Sequence, residues 1–92
     1  MIFSTSMHWG RHAAERKAFL LDQLRKRNPE PATYVIVAAR EPNLFEIYNE
    51  IMFLNPKLDT DNTEILGIGY GYQDALECVK GMVLEALHKS NT

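Results

Sequence analysis

The feature that most constrains this chain is an apolar run without alternation, T-Y-V-I-V-A-A at residues 33 to 39. It is rich in β-branched residues and reads as a strand. A strand with one wet face alternates apolar and polar side chains. This one does not, so both of its faces must be covered, as in a parallel sheet flanked by helices. In a chain of 92 residues that cover has to come from the chain's own helices. We therefore expect one small α/β domain over residues 1–92, of modest stability, because a short chain buries a smaller share of its surface than a larger domain does.

The rest of the chain supplies those helices. Residues 11 to 27 carry Ala13, Ala14, Ala18, Leu20, Leu21 and Leu24 at helical spacing, and Asn28-Pro29 ends the helix. Phe19 falls off that stripe. After the strand and Arg40-Glu41, a second helix is expected to start at Pro42 or Asn43. Pro42 suits a first helical turn, and Asn43 with Glu46 has capping-box spacing. It runs to Leu54 and stops before Pro56. Leu44, Ile47, Tyr48, Ile51 and Leu54 form its stripe, leaving Phe45, Met52 and Phe53 in surplus. Residues 64 to 70 read as the second strand and 73 to 89 as the last helix, with Leu76, Val79, Met82, Val83, Ala86 and Leu87 as its core stripe. The order is helix, strand, helix, strand, helix around a small, mostly parallel sheet, with a right-handed crossover between the strands. Two strands make a narrow sheet, so a third is expected from Ile2–Thr5 or from a second chain.

The stretch E-I-L-G-I-G-Y-G-Y-Q-D-A-L, residues 64 to 76, places glycines at 67, 69 and 71 between a strand and a helix. A dinucleotide fingerprint needs G-x-G-x-x-G there. Counted from Gly67 the third glycine falls on Tyr72, and from Gly69 it falls on Asp74, so neither frame fits. A P-loop needs Gly-Lys-Ser/Thr at the helix start. Asp74 and Glu77 lie in the first turn, suit the positive helix end themselves and would repel a phosphate. The packing reading is preferred: Gly67 and Gly69 share one strand face and let a helix approach, while Gly71 allows the turn. If a small molecule binds at all, the expected site is Arg40, Gly69, Tyr70, Gly71 and Tyr72, at the carboxyl end of the strands.

The segment G-I-G-Y-G-Y-Q-D-A-L-E-C-V resembles the V-G-[IL]-A-x-G-Y-x-E-A-L-E-L-V segment of a group of small uncharacterised bacterial proteins. The matching positions are Gly67, Gly71, Tyr72, Ala75, Leu76, Glu77 and Val79; the chain departs from the pattern at Gly69 and Asp74. Those proteins also place a basic helix before an apolar strand. The resemblance implies the fold order and attaches no activity.

Other features point to bland roles. Arg11, Arg16, Lys17, Arg25, Lys26 and Arg27 crowd residues 11 to 27 of a chain whose formal net charge is −2. Such asymmetry can mark a polyanion-binding face. Yet Arg25 to Arg27 stand where a helix ends, which the helix dipole favours, so nucleic acid is not the expected partner. His8, His12 and Glu15 have metal-ligand spacing, but Gly10 breaks the helix that would align them, and no metal or cofactor is expected. Residues 57 to 64 lack the glycine and glutamate of a calcium loop. Cys78 is the only cysteine, so no intrachain disulfide forms. No apolar run reaches the roughly 18 to 20 residues of a membrane span, and the first residues lack a signal-peptide pattern. We expect a soluble cytoplasmic protein.

No catalytic constellation stands out. The expected function is a non-catalytic interaction or self-assembly module, a homodimer or a partner of another protein. Its contact residues would be Phe19, Phe45, Met52, Phe53 and Leu84. The alternative is a small-ligand domain, for a nucleotide or phosphorylated metabolite, using residues 67–72.

Overall fold

The computed structural model describes residues 1–28, 30–38, 44–57 and 60–90. It holds one four-stranded sheet: β1 (Ile2–Trp9), β2 (Thr33–Ala38), β3 (Phe45–Asn49) and β4 (Glu64–Tyr70). A short 3₁₀ turn (Ala13–Arg16) leads into α1 (Lys17–Arg25). A single turn, α2 (Glu50–Phe53), follows β3, and α3 (Tyr72–Ser90) follows β4. The strand order across the sheet is β1-β4-β2-β3.

This is an α/β fold, but not the mostly parallel two-stranded sheet expected from the sequence. β1 is parallel to β4, whereas β2 is antiparallel to both β3 and β4, so the sheet is mixed. The expected right-handed crossover between residues 33–39 and 64–70 does not exist. The cause is the segment expected to be helical from Pro42 or Asn43 to Leu54. Pro42 and Asn43 lie outside the described residues. Phe45–Asn49 is a strand that pairs back on β2, with Ile36 opposite Ile47 and Tyr34 opposite Asn49. Only Glu50–Phe53 is helical. Hydrogen bonding to the apolar β2 edge outweighs the helical spacing of Leu44, Ile47, Tyr48 and Ile51. The turn starts where the Asn49 side chain accepts the Ile51 N–H at 3.0 Å, a regular N-cap.

The N-terminal strand is longer than Ile2–Thr5. It runs to Trp9 along β4, with an irregularity between Phe3 and His8. The helix expected over 11–27 is a 3₁₀ turn and a nine-residue helix, divided at Arg16 (φ −133°, ψ 27°). It closes with Arg27 at φ 56°. The Asn28 N–H bonds the Gln23 carbonyl and the Arg27 N–H bonds that of Leu24, a Schellman ending with arginine where glycine is usual.

Residues 33–39 require cover on both faces, and the described part of β2 has it. On one face Val35, Val37, Ile65 and Ile68 pack with Ala13, Leu20 and Leu24 and with Phe53 of α2. On the other, Ile36 packs with Cys78 and Met82 of α3. A bulge in β4 makes this division possible. Ile36 faces Gly67 while Val37 faces Ile65, so Leu66 is one residue too many. Ile65 and Ile68, three apart, thereby reach the same face. Each fully buried Leu, Ile or Phe side chain contributes about 1.5 to 3 kcal/mol.

Candidate functional site

The stretch from β4 into α3 is tied by one side chain. Asp74, in the first turn of α3, is buried. Its Oδ1 accepts the His12 N–H at 3.0 Å, and its Oδ2 accepts those of Ala13 (3.1 Å) and Tyr70 (2.9 Å). Burial alone would raise this carboxyl. The N–H groups of His12, Tyr70 and Ala13, with the nearby His12 side chain, outweigh it and hold the group below the ordinary carboxylate range. The neighbouring donors are spent as well: Gly71 N–H bonds the Ala32 carbonyl at 2.6 Å and Gly10 N–H that of Ile68 at 2.8 Å.

The Asp74 carboxylate thus sits at the start of α3 but is held by N–H groups from the first 3₁₀ turn and the end of β4, and its charge beside the helix start disfavours a second anion there. The glycines serve packing. A Cβ on Gly69 would lie 2.5 Å from Ala75 Cα, and one on Gly67 would lie 3.3 Å from Met82 Sδ. Gly71 has φ +92°, which only glycine adopts easily.

Two clefts flank α3 on the β1 side. One, of about 490 Å³, lies at the carboxyl ends of the parallel pair β1 and β4, lined by Trp9, Arg11, His12, Gln73, Glu77 and Cys78. Burial and then the Asp74 charge push the Cys78 thiol up to about 11, so it is protonated and a poor nucleophile at neutral pH. The second, of about 260 Å³, brings Ser4, Ser6, His8 and Glu85 together over Phe45 and Met82. Hydroxyl, imidazole and carboxylate share this cleft, an arrangement that residues so far apart in sequence could not reveal. His8 Nδ1 stands 3.9 Å from Glu85 Oε2. That is too long for the hydrogen bond with which an acid orients a catalytic histidine. His8 lies on β1 and His12 in the turn beyond it, so the two do not share a helix face. No group of three metal-ligating side chains occurs among the described residues.

Of the expected ligand residues, the described Tyr70 and Tyr72 turn to different neighbours. Arg40 lies outside the described residues. Ala38, the last described residue of β2, pairs with Phe45, while the Thr33 end of β2 pairs with Tyr70. Antiparallel pairing thus puts Ala38 at the opposite end of the strands from the glycine turn. Tyr70 packs on the α1 side, with the Arg16 guanidinium 5.0 Å from its ring centre. Tyr72 meets Tyr34 edge-on, centroids 5.5 Å apart. The basic segment is similarly occupied: Lys17 lies over Trp9, Arg25 over Phe3, and Lys26 bonds Asp22 at 3.0 Å.

The expected contact residues divide. Phe19, Met52 and Leu84 are exposed, on three different helices. Phe45 is half-buried against the Ile36 cluster. Phe53 is 1% exposed and belongs to the core, so it offers no surface. The residues missed are on α3. Its inward line is Ala75, Cys78 and Met82. The wider core stripe read from the sequence continues around the flank that faces β2 and β3 with Leu76, Val79 and Val83, and Tyr72 precedes them at the same spacing of three and four. Leu76 and Tyr72 are exposed, Val79 and Val83 half-buried, and Leu84 and Leu87 lie exposed beyond them. The signal was present: more than half of this helix's circumference is apolar, which one sheet face cannot absorb.

No helix among the described residues is long and apolar enough to cross a membrane. The chain matches no protein-family model, no curated protein and no solved structure. Nothing in these comparisons bears on the resemblance of residues 67–79.

Proposed function

We propose that this protein is a non-catalytic self-assembly domain whose α3 flank pairs with a second copy of the chain. The observation that carries this reading is the apolar band Tyr72, Leu76, Val79, Val83, Leu84 and Leu87 on a helix with only one of its faces seated on the sheet. Such a band is larger than isolated surface residues require and is the usual mark of an interface. Tyr72, Leu76, Val79, Val83 and Leu87 follow the three-and-four spacing of the seam in a two-helix coiled coil, with Leu84 at its margin, so the same band on another copy is a fitting partner in a two-fold arrangement. The occupied donors around Asp74 and the protonated Cys78 thiol favour assembly over ligand binding or catalysis.

The test is light scattering coupled to size exclusion, on the wild type and on the L76E/L84E variant. We expect a concentration-dependent dimer for the wild type. The variant should be a monomer with an unchanged circular dichroism spectrum. A wild type that stays monomeric at high micromolar concentration overturns the proposal.

A further inference from the structure

Away from α3, three polar atoms are buried with no hydrogen-bond partner: Thr33 Oγ1 and both carboxyl oxygens of Glu50. Each residue is 0% exposed. They belong together by register. Tyr34 pairs with Asn49, so Thr33 and Glu50 are the next opposed positions, on the face where Val35 and Phe53 pack.

Among the described residues the surroundings hold negative charge and no cation paired with Glu50. Glu30, in the turn before β2, acts on Glu50 through its charge, while its own carboxyl accepts the Ala32 N–H at 3.0 Å. On β3, Glu46 and Tyr48 are bonded to each other. The cations that end α1 are engaged or solvated: Arg25 over Phe3, Lys26 with Asp22, and Arg27 exposed. A lone carboxylate in such a place is costly, whereas a neutral carboxylic acid buries no charge and gains an O–H that a small side-chain rotation can offer to the neighbouring Thr33 oxygen.

The element that Glu50 begins is small. α2 is one turn, attached by the Asn49 cap, by the Asn49 side-chain amide donating to the Pro31 carbonyl at 2.9 Å, and by Phe53 in the core. We propose that α2 is a proton-held latch: Glu50 docks beside Thr33 as the neutral acid, and its ionisation releases α2 from the sheet and uncovers the bed of Phe53.

Burial first, then the charge of Glu30, raises the Glu50 carboxyl to about 7. The folded value lies above the unfolded one, about 4.3. The stabilisation is therefore complete below the unfolded value and is lost as pH rises through the folded one. Between them the folding constant falls up to tenfold per pH unit, a decline that Glu50→Gln lacks. The latch adds a local effect, and hydrogen exchange reads it. With wild type and E50Q compared at the same pH, amides 51–54 should exchange alike near pH 5.5. At pH 8.5 they should exchange at least tenfold faster in the wild type, and faster than the β2 and β4 amides, which open only with the whole fold. Equal exchange of the two proteins at both pH values, or wild-type amides 51–54 exchanging no faster than the sheet amides at pH 8.5, overturns the latch. Carbon NMR of the unaltered protein gives a second reading. A Glu50 carboxyl that titrates near neutrality supports the proposal, and one that titrates near the ordinary glutamate value overturns it.

Discussion

Gly10 and Asp74 are in such close contact that a Cβ on Gly10 would fall inside the Asp74 carboxyl group. The contact lets a carboxylate at the start of α3 collect the N–H groups of His12 and Ala13 from the first turn of the chain while holding that of Tyr70. One side chain thus fixes the ends of β1, β4 and α3 relative to one another.

Replacing Asp74 by Asn keeps the shape and removes acceptor capacity, leaving a buried N–H without a partner. We expect a loss of about 2 to 3 kcal/mol in urea unfolding at neutral pH. Because the folded carboxyl titrates below its unfolded value of about 3.9, its contribution is complete above that value and disappears as pH falls through the folded one. The wild type should lose this stabilisation on the acid side, and D74N should not show that part of the decline.

The glycines at 69 and 81 should respond in opposite directions to alanine. At 69 the new methyl meets Ala75 backbone, and overpacking of this kind costs about 1 to 3 kcal/mol. At 81 nothing lies within 4 Å, and an exposed helical glycine gains about 0.5 to 1 kcal/mol on becoming alanine. Urea midpoints decide the matter; a G69A protein as stable as the wild type would mean that α3 does not rest on Gly69.

Met52 and Phe53 are adjacent, yet 64% and 1% exposed. Truncating Phe53 to alanine should cost about 3 to 5 kcal/mol, and truncating Met52 should change stability by no more than about 0.5 kcal/mol. Thermal melts of both variants at pH 6, where Glu50 retains its proton, are the measurement. The reverse ranking would place α2 on the sheet the other way round.

Cys78 is 9% exposed and its thiol is raised to about 11 by burial, with a smaller push from Asp74. Thiolate is the reactive form, so labelling by a disulfide reagent at pH 8 should be slow. Its rate should climb with urea in step with unfolding. Prompt labelling of the native protein would contradict the packing of α3 on Ile36.

The fold was legible where local chemistry and tertiary packing agree. Val35, Ile36 and Val37 declared a strand covered on both sides, and Gly67, Gly69 and Gly71 declared a close helix and a turn. It was misread where one segment satisfies two periods. In F-E-I-Y-N, Phe45 and Ile47 alternate with Glu46 and Tyr48, yet Leu44, Ile47, Tyr48 and Ile51 also fit a helix; pairing with β2 decides. That expectation carried the next one, since a helix between 33–39 and 64–70 implies parallel strands, whereas β2 and β4 pair antiparallel. Asp74 was read correctly as suited to the helix start, but His12 and Ala13, its partners, are distant in sequence and no local rule links them. Phe53 was counted as surplus because the helix assigned to it was three times too long.

The strand order also fixes a timetable. Among the described strands β1 is made before the other three, and its sheet neighbour, β4, after them. Until Tyr70 and Asp74 have been synthesised, Ile2–Trp9 has no strand to join and the turn at Gly10 has no carboxylate to close on. Contacts of such long sequence separation slow folding, and an unpaired apolar strand is aggregation-prone while it waits. The sheet of this protein can therefore be completed only once β4 has been made, and a translation arrest before β4 leaves β1 without its partner.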